Sequence, residues 1–136
     1  MPGNKFEQLT KMMKRLRGKK GCPWDQEQTI ESFSKHLEEE AEEVMHAVKT
    51  GDREELREEL GDLLWNIVFI CQIAQEQGLF DVKQVMEEVR QKIVRRHPHV
   101  FAGVKVKNSK EVMKLYKQIK KKEKADKKKI KKSRGE

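Results

Sequence analysis

Four carboxylates are set in mirror order around one glycine. Glu40 and Glu43 lie eleven and eight residues before Gly51, and Glu59 and Asp62 lie eight and eleven residues after it. At a rise of about 1.5 Å per residue in an α-helix, a hairpin folding near Gly51 brings both pairs to matching heights, roughly 12 to 16 Å from the bend. Like charges a few ångströms apart disfavour joint ionisation, so such a cluster calls for a compensating cation. Ligation by carboxylate oxygens alone suits Mg²⁺ or Mn²⁺ rather than zinc, and leaves positions open for water and phosphate oxygens. Two other uses compete. One is a solvated acidic face, the common explanation of a run such as Glu38-Glu39-Glu40-Ala41-Glu42-Glu43. The other is a salt-bridge network with Lys35, Lys49, Arg53 and Arg57, which are within helical reach.

The elements that must hold these acids are helices. Leu37, Ala41, Val44 and Val48 form the inner stripe of the segment before Gly51, and Glu40 lies about 60° from its centre, half in the core, with Glu43 at the margin. Glu59, Asp62 and Asn66 share a strip at i, i+3 and i+7 on the segment that follows. From Leu63 to Ala74 that segment has only Asn66 and Gln72 as polar residues, so it is expected to be buried on every side, in the fold or against a second copy. An amide in such a stretch must find partners, which makes Asn66 a candidate polar contact to a ligand. Upstream, Phe6, Leu9, Met12 or Met13 and Leu16 predict a helix ending near Gly18, then a loop from Gly18 to Gln26 holding a buried Trp24. Thr29 or Ser32 caps the helix before Gly51, and Asp52 caps the one after it. Beyond Gly78, Asp81 caps a fourth helix with Val82, Val85, Met86, Val89 and Ile93 inward. A loop through Phe101 and Gly103 leads to a last helix, capped by Asn108 or Ser109. The expected fold is an all-α bundle of about four to five helices, with the metal site between two antiparallel helices.

At 136 residues the chain is expected to form one domain, and 40% charged residues with 6% aromatics suit a helical, soluble protein. The net charge of +8 is local. Residues 117–136 carry eleven Lys or Arg and three acids, which leaves 1–116 neutral. The expected division is a domain over 1–120 and a Lys-rich tail over 121–136, frayed or disordered, with weak nucleic-acid contact open to it. No apolar run reaches signal-peptide or membrane-spanning length, which points to the cytoplasm and to no membrane partner. Cys22 and Cys71 are far apart and read as reduced thiols. His97 and His99 lack a third ligand for zinc.

Cys22-Pro23-Trp24-Asp25, Glu39-Glu40-Ala41-Glu42-Glu43, Glu59-Leu60-Gly61-Asp62-Leu63-Leu64 and Arg95-Arg96-His97-Pro98-His99-Val100-Phe101 occur in this order. Together they resemble the MazG family of nucleoside triphosphate pyrophosphohydrolases over roughly residues 5 to 120. The resemblance implies an all-α fold assembled as a dimer or tetramer that binds Mg²⁺ (or Mn²⁺). It implies hydrolysis of NTPs or dNTPs to monophosphate and pyrophosphate, a house-cleaning activity on the nucleotide pool. Carried over, Glu40, Glu43, Glu59 and Asp62 are metal ligands, Glu39 and Glu40 are catalytic, and Glu39 is the extra acid that helps to orient water. Lys92, Arg95 and Arg96 become phosphate contacts, with Lys120 a further one; their plain alternative is charge favoured at a helix C-terminus. Tyr116 stands where relatives often have Trp, and it and Trp24 are candidates for base stacking, Trp24 reading first as a core aromatic. Departures from the family pattern are Glu42, where many relatives are apolar or aromatic, the Lys-rich tail, and a single copy of a domain that some relatives duplicate. The alternative from another class is a non-catalytic nucleotide or nucleic-acid binding module that uses the basic tail.

Overall fold

The computed structural model describes residues 4–135 and has no strand among them. Residues 1–3 and 136, the outer ends of the expected segments 1–120 and 121–136, lie outside the described residues. Each helix boundary has a local cause. Helix α1 (Lys5–Arg17) starts at Asn4, whose Oδ1 accepts from the Glu7 N–H at 2.7 Å, and ends at Gly18. Next comes the short α2 (Pro23–Glu27). Helix α3 (Ile30–Thr50) opens on a capping box in which Thr29 and Ser32 exchange side-chain and backbone hydrogen bonds at 3.0 and 2.9 Å. Gly51 closes it in the left-handed region at φ 73°, its N–H donating to the Ala47 carbonyl. Asp52 at once caps α4 (Arg53–Glu76), accepting from the N–H groups of Glu54 and Glu55. A Cβ at Gly51 would meet nothing within 4 Å, so what glycine supplies there is the positive φ.

Helix α5 (Val82–Arg96) opens on reciprocal Asp81–Gln84 hydrogen bonds across its first turn. Then follow α6 (Pro98–Phe101) and α7 (Ser109–Ser133), the latter capped by Asn108. Two expected loops therefore hold short helices, α2 and α6. Both begin on proline, whose fixed φ suits the first helical position and whose missing N–H has no helical partner to lose. The Lys-rich segment is also helical as far as Ser133, where a frayed or disordered tail was expected, and α7 crosses residue 120 without a break. Lysine is a good helix former, and no glycine or proline interrupts the run before Gly135.

The chain forms two compact units, Met1–Gln84 and Val85–Glu136. In the first, α4 packs on α3 and α1. Phe33 and Phe69, each eighteen residues from Gly51, stack at 3.8 Å with an 11° interplanar angle, so the hairpin register is the one the mirrored acids require. Met13, Val68 and Ile73 close the cluster. Full burial of side chains of this size contributes roughly 1.5–3 kcal/mol each. Arg17, with only 7% of its side chain exposed, ties three helices together: it pairs with Glu76 at 2.9 Å, donates to the Asp25 and Gln28 carbonyls and lies over the Phe69 ring. The Arg17 hydrogen bond holds the Glu76 carboxyl below its ordinary range.

Several inward positions differ from expectation. Ala47, not Val48, is the buried residue near the end of α3. Helix α4 buries Val68, Phe69, Ile73 and Ala74 but leaves Leu60, Leu64 and Ile67 between 39% and 49% exposed, because α1 and α3 cover only part of its circumference. On α5, Met86, Val89 and Ile93 are exposed as well. There α7 meets α5 through polar side chains near its end and does not cover that stripe.

Candidate functional site

Helices α3 and α4 bring the mirrored acids together. Carboxylate oxygens of Glu40, Glu59 and Asp62 lie within 4.8 Å of one another, and so do those of Glu43, Glu55 and Glu59. Glu59 belongs to both triads. Glu40 and Glu59 are half-buried, while Glu43 and Asp62 are exposed, which puts the cluster at the rim of the helix pair with one side open. Partial burial, then a hydrogen bond with Glu40 and the charges of Glu40, Asp62 and Glu43, push the Glu59 carboxyl above its ordinary range. Among the described residues no lysine or arginine pairs with any of these five acids, so the alternative network with Lys35, Lys49, Arg53 and Arg57 does not form. Crowded carboxylates without a protein counter-ion fit a hard divalent cation held by oxygen. Glu55 was missed because its mirror position across Gly51 is Ala47. The signal available was its place one turn before Glu59, on the strip that continues to Asp62 and Asn66.

Glu39 stands apart from both triads. Its carboxylate is 70% exposed and lies 3.7 Å from His36 Nδ1. Asn66 is 5% exposed, and its Nδ2 donates to the Asp62 carbonyl at 2.7 Å, while its Oδ1 is buried without a partner. That orphaned acceptor one turn beyond Asp62 is the kind of group a ligand or ordered water satisfies. Trp24 is half exposed and not in the core. It meets Phe33 and His36 edge-on, at 6.3 and 5.6 Å, because α2 holds it over the outer end of the Phe33 cluster.

The second unit has its own charged cluster. Arg96 donates through Nε and Nη2 to Glu123 at 3.1 and 2.9 Å and through Nη1 to the Tyr116 hydroxyl at 3.1 Å. Arg95 Nε donates to the same carboxylate. Burial alone would raise Glu123, but hydrogen bonds from Arg96 and Arg95 outweigh it and hold the group below its ordinary range. Arg96 and Lys120 lie 5.3 and 5.4 Å from the Tyr116 ring, so two cations already engage the face expected to stack a base. One carboxylate is set against two guanidiniums, with the Lys120 ammonium on the Tyr116 ring beside them, and the excess of positive charge suits an anion. Lys92 is half-buried on α5, four residues before Arg96. Glu123 was missed because a lone acid in a lysine run carries no spacing signal. The rings of His97 and His99 are 5.4 Å apart, but His97 Nδ1 is engaged by the Ile93 carbonyl at 2.7 Å, and the two form no ligand cluster. Both cysteines are free.

Among the described residues no helix is long and apolar enough to cross a membrane. The family model for the MazG nucleotide pyrophosphohydrolase domain matches residues 28–101, from the end of α2 through α6. A nucleoside triphosphate pyrophosphohydrolase of Escherichia coli K12 is 45% identical over 125 residues, 91% of this chain and 48% of that protein. A nucleoside triphosphate pyrophosphohydrolase/pyrophosphatase MazG of Thermotoga maritima is 44% identical over 96 residues, 71% of this chain and 38% of that protein. The chain thus spans about half the length, or less, of these curated relatives. The crystal structure of a mazG-related protein from Thermotoga maritima superposes with a TM-score of 0.72 at 34% identity, covering 85% of this chain and 98% of that one. By the matched domain, and by a structural relative covered nearly end to end, the chain belongs to the MazG nucleotide pyrophosphohydrolase domain family.

Proposed function

We propose that this chain hydrolyses nucleoside triphosphates, ribo- or deoxyribo-, to the monophosphate and pyrophosphate with Mg²⁺ (Mn²⁺ as the substitute), clearing surplus or non-canonical nucleotides in the cytoplasm. The observation that carries this is the Glu59-centred pair of carboxylate triads without a protein counter-ion. The activity named for its relatives supports it. Glu40, Glu43, Glu59 and Asp62 would hold the ion, with Glu55 completing the second triad. A bound dication offsets charge that develops on the departing pyrophosphate. Water adds to the α-phosphorus, the bond to the bridging oxygen breaks, and a carboxylate takes the water proton, a task for Glu40, or for Glu39 once it turns from His36. Lys92, Arg95, Arg96 and Lys120 are the proposed phosphate contacts. Tyr116 then holds Arg96 in place, and half-exposed Trp24 is the better base-stacking surface. The apolar side of α4 at Leu60, Leu64 and Ile67 supports assembly as a homodimer or tetramer.

Asn66 gives an independent check. Asn66→Leu removes an unsatisfied buried acceptor, so the thermal midpoint is expected to hold or rise while KM for the nucleotide rises several-fold. A lower midpoint with unchanged KM would make Asn66 a structural residue only. The reaction itself is tested by incubating the chain with Mg²⁺ and a panel of NTPs and dNTPs, with and without EDTA, and separating products by anion exchange. Metal-dependent monophosphate and pyrophosphate are expected. Diphosphate and phosphate would indicate attack elsewhere on the chain of phosphates, and no product across the panel would favour a nucleotide-binding module.

A further inference from the structure

Helix α7 sorts its charges by side. At about 100° per residue, ten lysines from Lys110 to Lys132 fall within an arc of about 140°, and no acid lies in that arc. Glu111, Glu123 and Asp126 project from the rest of the circumference. So do Val112, Leu115, Tyr116 and Ile119, which with Glu123 are the half-buried residues of the helix, while every lysine of the arc is exposed. The Glu123 bonds to Arg95 and Arg96 fix which side of α7 turns inward within this unit. The lysine arc is thereby left to solvent, and beside it lies a hollow of about 420 Å³ lined by Arg96, Lys120, Lys121, Lys124 and Lys127 with Glu123.

We propose that this face of α7 docks duplex nucleic acid through its phosphates, without reading sequence. From Lys110 to Lys132 the face is about 33 Å long, close to one turn of B-form duplex, and a helix about 10–12 Å across fits a major groove about 12 Å wide. A duplex offers one negative charge per roughly 1.7 Å, and lysines contact phosphates as point charges. Two features select this partner. The arc has no aromatic residue, which single-strand stacking platforms use. Its one apolar residue is Met113, whereas a helix lying on a membrane presents a continuous apolar face. The surface shares Lys120, and its hollow shares Arg96, with the proposed phosphate contacts of the hydrolytic reaction, so the test below changes neither residue.

The experiment uses the whole chain and a fluorescent 24-base-pair DNA duplex of mixed sequence, with fluorescence anisotropy from 50 to 200 mM NaCl. Affinity is expected to fall by about 10³-fold over that range, as for roughly six phosphate contacts. Two variants of equal net charge separate a face from bulk charge. Lys124→Gln with Lys128→Gln removes two lysines from the arc, and Lys122→Gln with Lys129→Gln removes two that lie outside it. The arc variant is expected to lower the slope of log K against log salt by about 2, and the control to leave it unchanged, with circular dichroism showing equal helix content. Equal weakening by both variants would overturn the face. So would the absence of salt-sensitive duplex binding, or binding to phosphatidylserine vesicles or polyglutamate with none to the duplex.

Discussion

Replacing Asp62 by asparagine or Glu40 by glutamine is expected to lower kcat for nucleoside triphosphate hydrolysis by at least about 10³-fold with helix content unchanged. Each change keeps the size of the side chain and removes one negative charge from the triad that Glu59 completes. A metal that stabilises the transition state by several kcal/mol is then held more weakly or misplaced, and each 1.36 kcal/mol lost is a factor of ten in rate. Both sites are near the rim, Asp62 exposed and Glu40 half-buried, so folding should tolerate the amide. Glu42→Gln, an exposed change two residues from Glu40 and outside both triads, is the control and should leave turnover within about twofold of the parent chain. Steady-state kinetics with saturating Mg²⁺ decides the matter. Full activity in the Asp62 and Glu40 variants would remove the metal assignment.

Glu59→Gln should show a different signature, legible without any turnover. Glu59 is the acid shared by both triads, and its carboxyl is held above the ordinary range by partial burial and by its acidic neighbours. In the window between its unfolded and its raised folded value, the folded chain binds the additional proton. Stability contributed by this group therefore falls as pH rises through that window, and at neutral pH the metal-free cluster is destabilising. The parent chain should accordingly gain stability on mild acidification, and Mg²⁺ at a hundred times its Kd should raise the thermal midpoint at neutral pH by about 10 °C. In Glu59→Gln the metal-free midpoint should start higher at neutral pH, respond less to mild acid and move little with Mg²⁺. Thermal melts at two pH values, with and without Mg²⁺, test each part. An identical Mg²⁺ shift in both proteins would place the ion elsewhere.

The spacing in the chain is enough to set the hairpin. A glycine with positive φ, an aspartate cap directly after it and two amphipathic runs of matched length leave one register open, the one in which Phe33 meets Phe69 and Glu40 shares a height with Asp62. Helix type and most caps were likewise legible, because local hydrogen bonds made by Thr29, Asp52, Asp81 and Asn108 decide them. Periodicity was a poorer guide to which of two adjacent apolar residues turns inward. Met12 and Met13, or Ala47 and Val48, differ by about 100° around the helix, and only the neighbouring helix determines which is covered.

The sequence by itself determined the all-helical class, the hairpin at Gly51 and the mirrored acids, since these follow from backbone geometry and residue order over short distances. The tertiary structure alone decided that Glu55 joins the cluster while Glu39 turns to His36, and that the neighbouring lysines and arginines do not neutralise it. It also decided that Glu123 binds Arg95 and Arg96, and that Trp24 stays half exposed. These depend on side-chain direction and on which elements cover one another, quantities that a one-dimensional spacing rule does not contain.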